Sequence, residues 1–584
     1  MKNFFRSILT SCLGTLLAFT IVVLIGMAFF FHFTKKDKNL KKTSFLSLSL
    51  QYVVPEKTGN VAQGYNFRNT SGPGLNDIIR SLKHAAKDDK IAGLLLNSNY
   101  TIADIVSIQS LRNAIEEFRL SGKPVYAYGE YYSQSAYHLA SVADSVFLNP
   151  NGSIDIRGLG AAMPFYKGVM DKLGVKMNVF YQGKYKSAIE PYTRASMSEN
   201  SRNQTRTYLN NLNSELIHDI AESRNLADKD IRNVMDNYLG GSSSDAKKHN
   251  LVDEVYYYSD VKILLRTKLN QDEDEKTSIV PISKYITFLP EKSTDSKNKV
   301  AVLYAEGVLE YGVQQNGKIT NDTYLGIIEK IKRNKDIKSV VLRINSRGGS
   351  SLASDNIAMA IKDLSESGIP VIASFGGYAA SGGYYISAYA DSILSEKTTI
   401  TGSIGVYSMF PDVHELLNDK IGVAYDTVTT QKLSSSFSTV MKLTNRENEI
   451  MQKYTDETYS RFIEVVSEGR NMSPEDVLAI AQGRVWSGED ALNVGLVDAL
   501  GSLSDAIAVA AGAADVDDYD ILEYPRIEKS PVESIMELVS PQAQAQAHFQ
   551  KNIPDQLLKH LEFIKRLSSL HTPQARLEWE LTDY

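Results

Sequence analysis

The chain has 584 residues, too many for one ordinary domain, and two or three are expected. Its 43% hydrophobic and 23% charged content is that of a globular protein, and a net charge of -6 gives no support to nucleic-acid binding. The one cysteine, Cys12, excludes disulfides and cysteine-based zinc sites within the chain.

Residues from Ile8 to Phe33 are almost continuously apolar. That is long enough to cross a bilayer core, which takes roughly 20 residues, and no small-residue cleavage site follows it. An uncleaved single-span anchor is expected. Lys2 and Arg6 precede the span, whereas Lys35, Lys36, Lys38, Lys41 and Lys42 follow it. By the positive-inside rule alone, the body would be cytoplasmic.

Ser44 to Leu50 alternates as a half-buried strand would, and the strand Lys299 to Tyr304 opens a second segment in the same way. From there an internal repeat emerges. Ile91 to Ser98 resembles Ile337 to Ser346, and each is followed by an amphipathic helical stretch, about 105–121 and 354–368. Each helix leads to a Pro-Val strand, at Pro124-Val125 and Pro370-Val371. Ala143-Asp144-Ser145 echoes Ala390-Asp391-Ser392, Gly152-Ser153-Ile154 echoes Gly402-Ser403-Ile404, and Leu251-Val252-Asp253 echoes Leu496-Val497-Asp498. The body is read as two copies of one α/β unit, with parallel strands covered by helices.

The division expected is a membrane anchor with its basic flank over 1–43, a first repeat over 44–270, a linker over 271–297, a second repeat over 298–525 and a tail over 526–584. The linker is polar around a short apolar patch. In the tail, Gln542 to Gln546 alternates with alanine, and Leu557, Leu558 and Leu561 stand at helical spacing, so a peripheral helix or a partly disordered end is expected.

One stretch of the second copy carries chemistry. Gly376-Gly377-Tyr378-Ala379-Ala380-Ser381-Gly382-Gly383 follows a buried apolar strand, and Tyr385 to Ala390 reads as a helix. A small hydroxyl residue at such a strand-to-helix turn suits a nucleophile, with glycines that let a substrate approach and helix N–H groups that favour negative charge. The competing reading is a tight packing corner. The first copy bears on that choice: it has Asn97-Ser98-Asn99-Tyr100 where the second has Asn345-Ser346-Arg347-Gly348-Gly349. Opposite Ser381 it has Gln134 or Ser135, depending on a one-residue gap. Glycines needed only for packing should persist in both copies; their loss favours an oxyanion-binding loop at Gly348-Gly349 facing Ser381.

A serine nucleophile needs a base. The first histidine after Ser381 is His414, and His138 and His249 read as structural or surface residues. A lysine serves when burial brings its pKa down. Lys186, in Tyr185-Lys186-Ser187-Ala188-Ile189-Glu190-Pro191, falls opposite Ser434 and belongs to the first copy alone, although an isolated lysine is usually solvated. Ser-x-x-Lys pairs also occur at Ser244–Lys247, Ser259–Lys262 and Ser296–Lys299, in late-copy or linker settings.

These residues together resemble the signal peptide peptidase A (SppA) family in its long, duplicated form, a group of serine peptidases within the Clp-protease and crotonase superfamily. The Asn-Ser-x-Gly-Gly loop and Ala-Ala-Ser-Gly-Gly-Tyr-Tyr are shared with the wider superfamily; their combination with the Lys-Ser-Ala-x-Glu-Pro segment in the other repeat is specific. The resemblance implies two tandem Clp/crotonase-like ββα repeats behind a transmembrane helix. It makes Ser381 the nucleophile and Lys186 the general base, with Ser403 orienting the lysine and N–H groups at Gly348 or Gly349 and at Gly382 binding the oxyanion. Arg347 departs from the family's usual proline, which bears on specificity more than on chemistry. No metal and no organic cofactor is implied. The implied partners are cleaved signal peptides and other apolar peptides, the lipid bilayer and further copies of the chain, as a tetramer. The body is implied to be periplasmic on a bacterial inner membrane, against the lysine count, because large folded domains can follow an anchor despite local charge. Rival readings are a crotonase-like acyl-CoA enzyme, whose acidic residues near the active-site loops are not evident, and a non-catalytic membrane scaffold.

Overall fold

Uninterrupted apolar runs mark strands buried on both faces, and here they form two mainly parallel sheets. The computed structural model describes residues 40, 42–59, 72–290, 296–313, 317–526 and the backbone strand 574–576. The anchor expected over 8–33 and the helix or disordered end expected in the tail lie outside the described residues, except for that short strand. Among the described residues, no helix is long and apolar enough to cross a membrane.

The first sheet is six-stranded, in the order Glu254–Val255, Ser145–Leu148, Val125–Gly129, Ile91–Leu96, Ser44–Leu48 and Ile279–Pro281. Ser44–Leu48 differs from the half-buried strand expected. It sits between Ile91–Leu96 and Ile279–Pro281, so Phe45, Leu46 and Leu48 are all buried rather than alternating. The apolar patch of the expected linker supplies that edge strand, pairing Phe45 with Ile279.

The second sheet is eight-stranded. Its main path runs Val485–Ser487, Ile400–Gly402, Val371–Ala380, Ile337–Ser346, Lys299–Glu306 and Asp520–Tyr524. The helices Ile105–Arg119 and Ser351–Glu366 follow equivalent strands and begin alike, with the Asp104 side chain accepting from the Ser107 N–H and Ser350 accepting from Ala353. The 26-residue helices Glu199–Arg224 and Asn445–Arg470 both end on a left-handed asparagine, Asn225 and Asn471.

The duplication extends to single hydrogen bonds. Asp144 accepts from the Val125 N–H and Asp391 from the Val371 N–H. Asp253 accepts from Val146 and binds Arg224; Asp498 accepts from Ile393 and binds Arg470. The Tyr137 hydroxyl donates to the Leu251 carbonyl as Tyr384 donates to Leu496. With Tyr137 opposite Tyr384, three residues back Gln134 stands opposite Ser381, which resolves the one-residue gap. Gln134 Oε1 accepts from the N–H groups of Arg157 and Gly158, so a buried amide fills the first copy's equivalent of the Ser381 position.

A third sheet is shared by both halves. It runs Lys318–Thr320, Val308–Glu310, Gly348–Ser350, Gln574–Arg576, Val406–Asp412 and Lys176–Gln182. Lys176–Gln182 pairs antiparallel along Val406–Asp412, from Gln182 opposite Val406 to Lys176 opposite Asp412. This ladder carries the Lys186 segment of the first half onto the second.

His138 is fully buried, with Nε2 2.7 Å from an Asp219 oxygen and its carbonyl accepting from Arg112. Burial lowers its pKa from 6.5 to about 4, with Arg112 adding to the fall and Asp219 opposing it. The unfolded chain therefore binds a proton that the folded chain refuses between those values, so stability falls as pH drops through that window. Urea unfolding is expected to show a loss of about 2–3 kcal/mol between pH 7 and pH 4 from this group. His138→Gln should flatten that part of the profile; an unchanged profile would refute the assignment.

Candidate active site

Val371–Ala380 ends at Ser381, whose φ of 57° and ψ of -115° are rarely adopted by a residue with a Cβ. The conformation is held from both sides: the Ser381 N–H donates to Gly402 O at 2.8 Å, and its carbonyl accepts from the Tyr385 N–H at 2.9 Å. The expected helix over Tyr385–Ala390 is instead a single turn, Gly382–Tyr385, followed by tight turns. Ser387 N–H bonds the Tyr384 carbonyl and Ala390 N–H bonds Ser387, while the Ser387 hydroxyl also closes on Tyr384 O. Those three-residue closures tighten the backbone beyond an α-helix. Nor do all the glycines here face a substrate. A Cβ on Gly376 would stand 2.5 Å from Glu56 Oε1, and one on Gly377 would stand 2.5 Å from Asp104 Cγ, so these two make room for side chains of the first half.

Lys186 reaches Ser381 because of the shared sheet. After Gln182, the turn at Gly183 to Lys186 leads into the short 3-10 helix Ser187–Ile189. Lys186 Nζ lies 2.8 Å from Ser381 Oγ, 3.0 Å from Ser403 Oγ and 3.0 Å from Ser403 O. Lys186 is 3% exposed, Ser381 0% and Ser403 1%, so the lysine is not the solvated residue that its sequence setting favours. Ser403 has a φ of 53° and its N–H donates to Arg484 O at 2.6 Å.

The loop Gln482-Gly483-Arg484 was not singled out by sequence, yet it frames the lysine. Gln482 O accepts from the Tyr185 N–H, and Gly483 N–H donates to Ile404 O. A Cβ on Gly483 would stand 2.7 Å from Lys186 N and 2.8 Å from Lys186 Cβ, at a φ of +73°. Gln204, on the long helix of the first half, donates to Tyr185 O and accepts from Val485 N–H. A glycine following Gln482 is the sole sequence signal of this packing.

The loop proposed for oxyanion binding abuts the serine turn. A Cβ on Gly383 would stand 2.7 Å from Ser346 O, which puts the backbone just before Gly348 against that turn. Gly348 N–H donates to Ser346 Oγ at 3.1 Å and is engaged within its own loop. Gly349 packs backbone to backbone on Leu309, where a Cβ would stand 2.1 Å from Leu309 O. Gly382 opens the helical turn, where an N–H has no intrahelical acceptor. Asn345 fixes the approach, its side-chain oxygen accepting from the Tyr378 N–H. Arg347 lies over the Tyr378 ring, 4.3 Å from its centroid.

The other candidates are engaged elsewhere. Lys247 pairs with Glu254, Lys262 lies over the Tyr258 ring, and Lys299 pairs with Asp520. His414 Nδ1 contacts Val440 O at 3.3 Å.

Comparison with known proteins gives matches over both halves. The model of peptidase family S49 matches residues 117–272 and 363–517. Protease 4 of Haemophilus influenzae is 37% identical over 441 residues, covering 74% of this chain and 71% of that protein. Protease 4 of Salmonella typhi is 34% identical over 522 residues, covering 87% and 84%. The chloroplastic serine protease SPPA of Arabidopsis thaliana is 29% identical over 486 residues, covering 82% and 70%.

Proposed function

The chain belongs to peptidase family S49 and is a serine peptidase, and from that premise we propose that it works through a Ser381/Lys186 dyad built across its two repeats. The observation that carries this reading is the 2.8 Å contact between Lys186 Nζ and Ser381 Oγ, two buried side chains. A lysine acts as a base only in its neutral form, and removal from water favours that form.

Neutral Lys186 takes the Ser381 proton as Oγ bonds to the peptide carbonyl carbon. The oxyanion that forms is met by backbone N–H groups of Gly349 and Gly382, with Gly348 shaping the loop. As the C–N bond breaks, the lysine ammonium gives its proton to the leaving amine. Water, deprotonated by Lys186, then attacks the acyl-enzyme and frees Ser381. Ser403 receives the lysine in two hydrogen bonds and fixes its direction.

The substrates proposed are cleaved signal peptides and other apolar peptides. The apolar run from Ile8 to Phe33 is proposed to anchor the chain in a bacterial inner membrane, with the body periplasmic and assembled as a tetramer; the family resemblance supports this. An acyl-CoA chemistry or a scaffold role finds no support in the family match.

Full-length chain in detergent micelles should cleave an internally quenched apolar peptide, and Ser381→Ala should lower that rate by at least ~10⁴-fold with an unchanged circular dichroism spectrum. Wild-type rates in Ser381→Ala would overturn the proposal.

A further inference from the structure

Lys186 sits at the centre of an inverse γ-turn. Its φ of -74° and ψ of 76° bring the Ser187 N–H to the Tyr185 carbonyl at 2.8 Å. So short a turn closes on a single hydrogen bond of its own, and the aim of the lysine stem depends on it. The side chain of Gln204, 6% exposed on the long helix Glu199–Arg224, grips both flanks of that turn. Its Nε2 donates to Tyr185 O at 2.9 Å and to Ser187 Oγ at 3.3 Å. Its Oε1 accepts from the Val485 N–H at 3.3 Å. Val485 follows Arg484, whose carbonyl receives the Ser403 N–H, and Ser403 in turn receives Lys186 Nζ. One amide thus ties the backbone from which the lysine springs to the segment that seats its amine. The duplication supplies a comparison. The helices Glu199–Arg224 and Asn445–Arg470 match cap for cap, from Ser198 and Thr444 to Asn225 and Asn471, which puts Ile450 opposite Gln204. The amide belongs to the copy that supplies Lys186, and the helix common to both copies forms without it.

We propose that Gln204 is the positioning residue of the general base, clamping the γ-turn so that Lys186 Nζ stays within proton-transfer reach of Ser381 Oγ; this rests on the reading of Lys186 as that base. A lysine stem is long and flexible, and it holds one direction only when both of its ends are fixed. Ser403 fixes the amine end, and Gln204 fixes the root. A displacement of about 1 Å at such a contact costs about 10²-fold in rate, even when the change lies away from the reacting atoms.

Gln204→Met keeps the length of the side chain and removes its hydrogen bonds. Gln204→Glu keeps the shape and the acceptor for the Val485 N–H but removes the donors to the turn, and it decides the matter if the methionine variant does not fold. With the full-length chain and a quenched apolar peptide, kcat is expected to fall about 10–100-fold in both, with KM within about two-fold of wild type. Wild-type kcat, or a loss confined to KM, overturns the proposal. Combining Gln204→Met with Lys186→Met tests the route of the effect. A residue that acts through Lys186 costs nothing further once the lysine is gone, so fluorophosphonate labelling of Ser381 should run at the rate of Lys186→Met alone. A further loss of about ten-fold in the combined variant would give Gln204 a general structural role and overturn the proposal. If Lys186→Met itself cleaves at the wild-type rate, the base assignment falls and the role of Gln204 falls with it. An inactive Lys186→Met beside a fully active Gln204→Met rejects Gln204 alone.

Discussion

Lys186→Met is expected to lower the saturated rate of peptide cleavage by about 10⁴-fold while leaving the fold intact. Methionine keeps the length and most of the volume of the lysine stem but has no proton acceptor able to take the Ser381 proton. The lysine is 3% exposed and its Nζ is committed to Ser381 and Ser403, so a solvated base has no room to take its place. Stability should hold or rise, because burying an amine carries a desolvation cost that a thioether avoids. Steady-state cleavage measured beside thermal unfolding checks both halves of the expectation. A fall in rate together with a collapse in melting temperature would mark Lys186 as structural.

Glu56→Ala is expected to destabilise the chain by about 3–5 kcal/mol, the usual consequence of leaving one partner of a buried ion pair behind. Arg343 is 1% exposed and Glu56 2%, and the two meet through paired hydrogen bonds of 3.0 and 3.1 Å. Glu56 holds Arg343 charged, and Arg343 in turn donates to Ser374 Oγ and to Phe375 O on the strand that ends at Ser381. The pair therefore joins a segment of the first half to the strand that ends at Ser381. Urea unfolding with peptide cleavage should show stability and rate falling together in Glu56→Ala. Glu56→Ala combined with Arg343→Met should recover much of the stability, since it removes the stranded charge. A single variant as stable as wild type would mean that the charge is compensated by another group.

Much of this was legible in the sequence because the duplication supplied an internal comparison. The paired motifs around Asp144 and Asp391, and around Asp253 and Asp498, are the residues whose carboxylates tie equivalent strands in both halves. The divergence at Ser381 was legible too, although which residue opposed it needed the matching Tyr137 and Tyr384 hydrogen bonds. Lys186 could be nominated from sequence but not shown to be buried, because its burial arises from pairing between Lys176–Gln182 and Val406–Asp412, more than 200 residues apart in the chain. Glu56 with Arg343, and Gly483 beneath Lys186, left no local pattern, since each takes its role from a neighbour distant in sequence. Ser44–Leu48 misled for a related reason: serine alternation suggests a wet face, but Ser44 bonds Ser278 Oγ and strands cover both edges. The helix expected after Ser381 stops after one turn because the Ser387 hydroxyl and N–H both close on the Tyr384 carbonyl and tighten the backbone.

The claim that the two halves share one catalytic unit is tested most directly by fluorophosphonate labelling of the full chain, followed by peptide mapping, in wild type and Lys186→Met. The account predicts one phosphonyl group per chain, on Ser381, formed at least ~10³-fold more slowly when Lys186 is replaced. Label on a different serine, or equal labelling rates with and without Lys186, would contradict it.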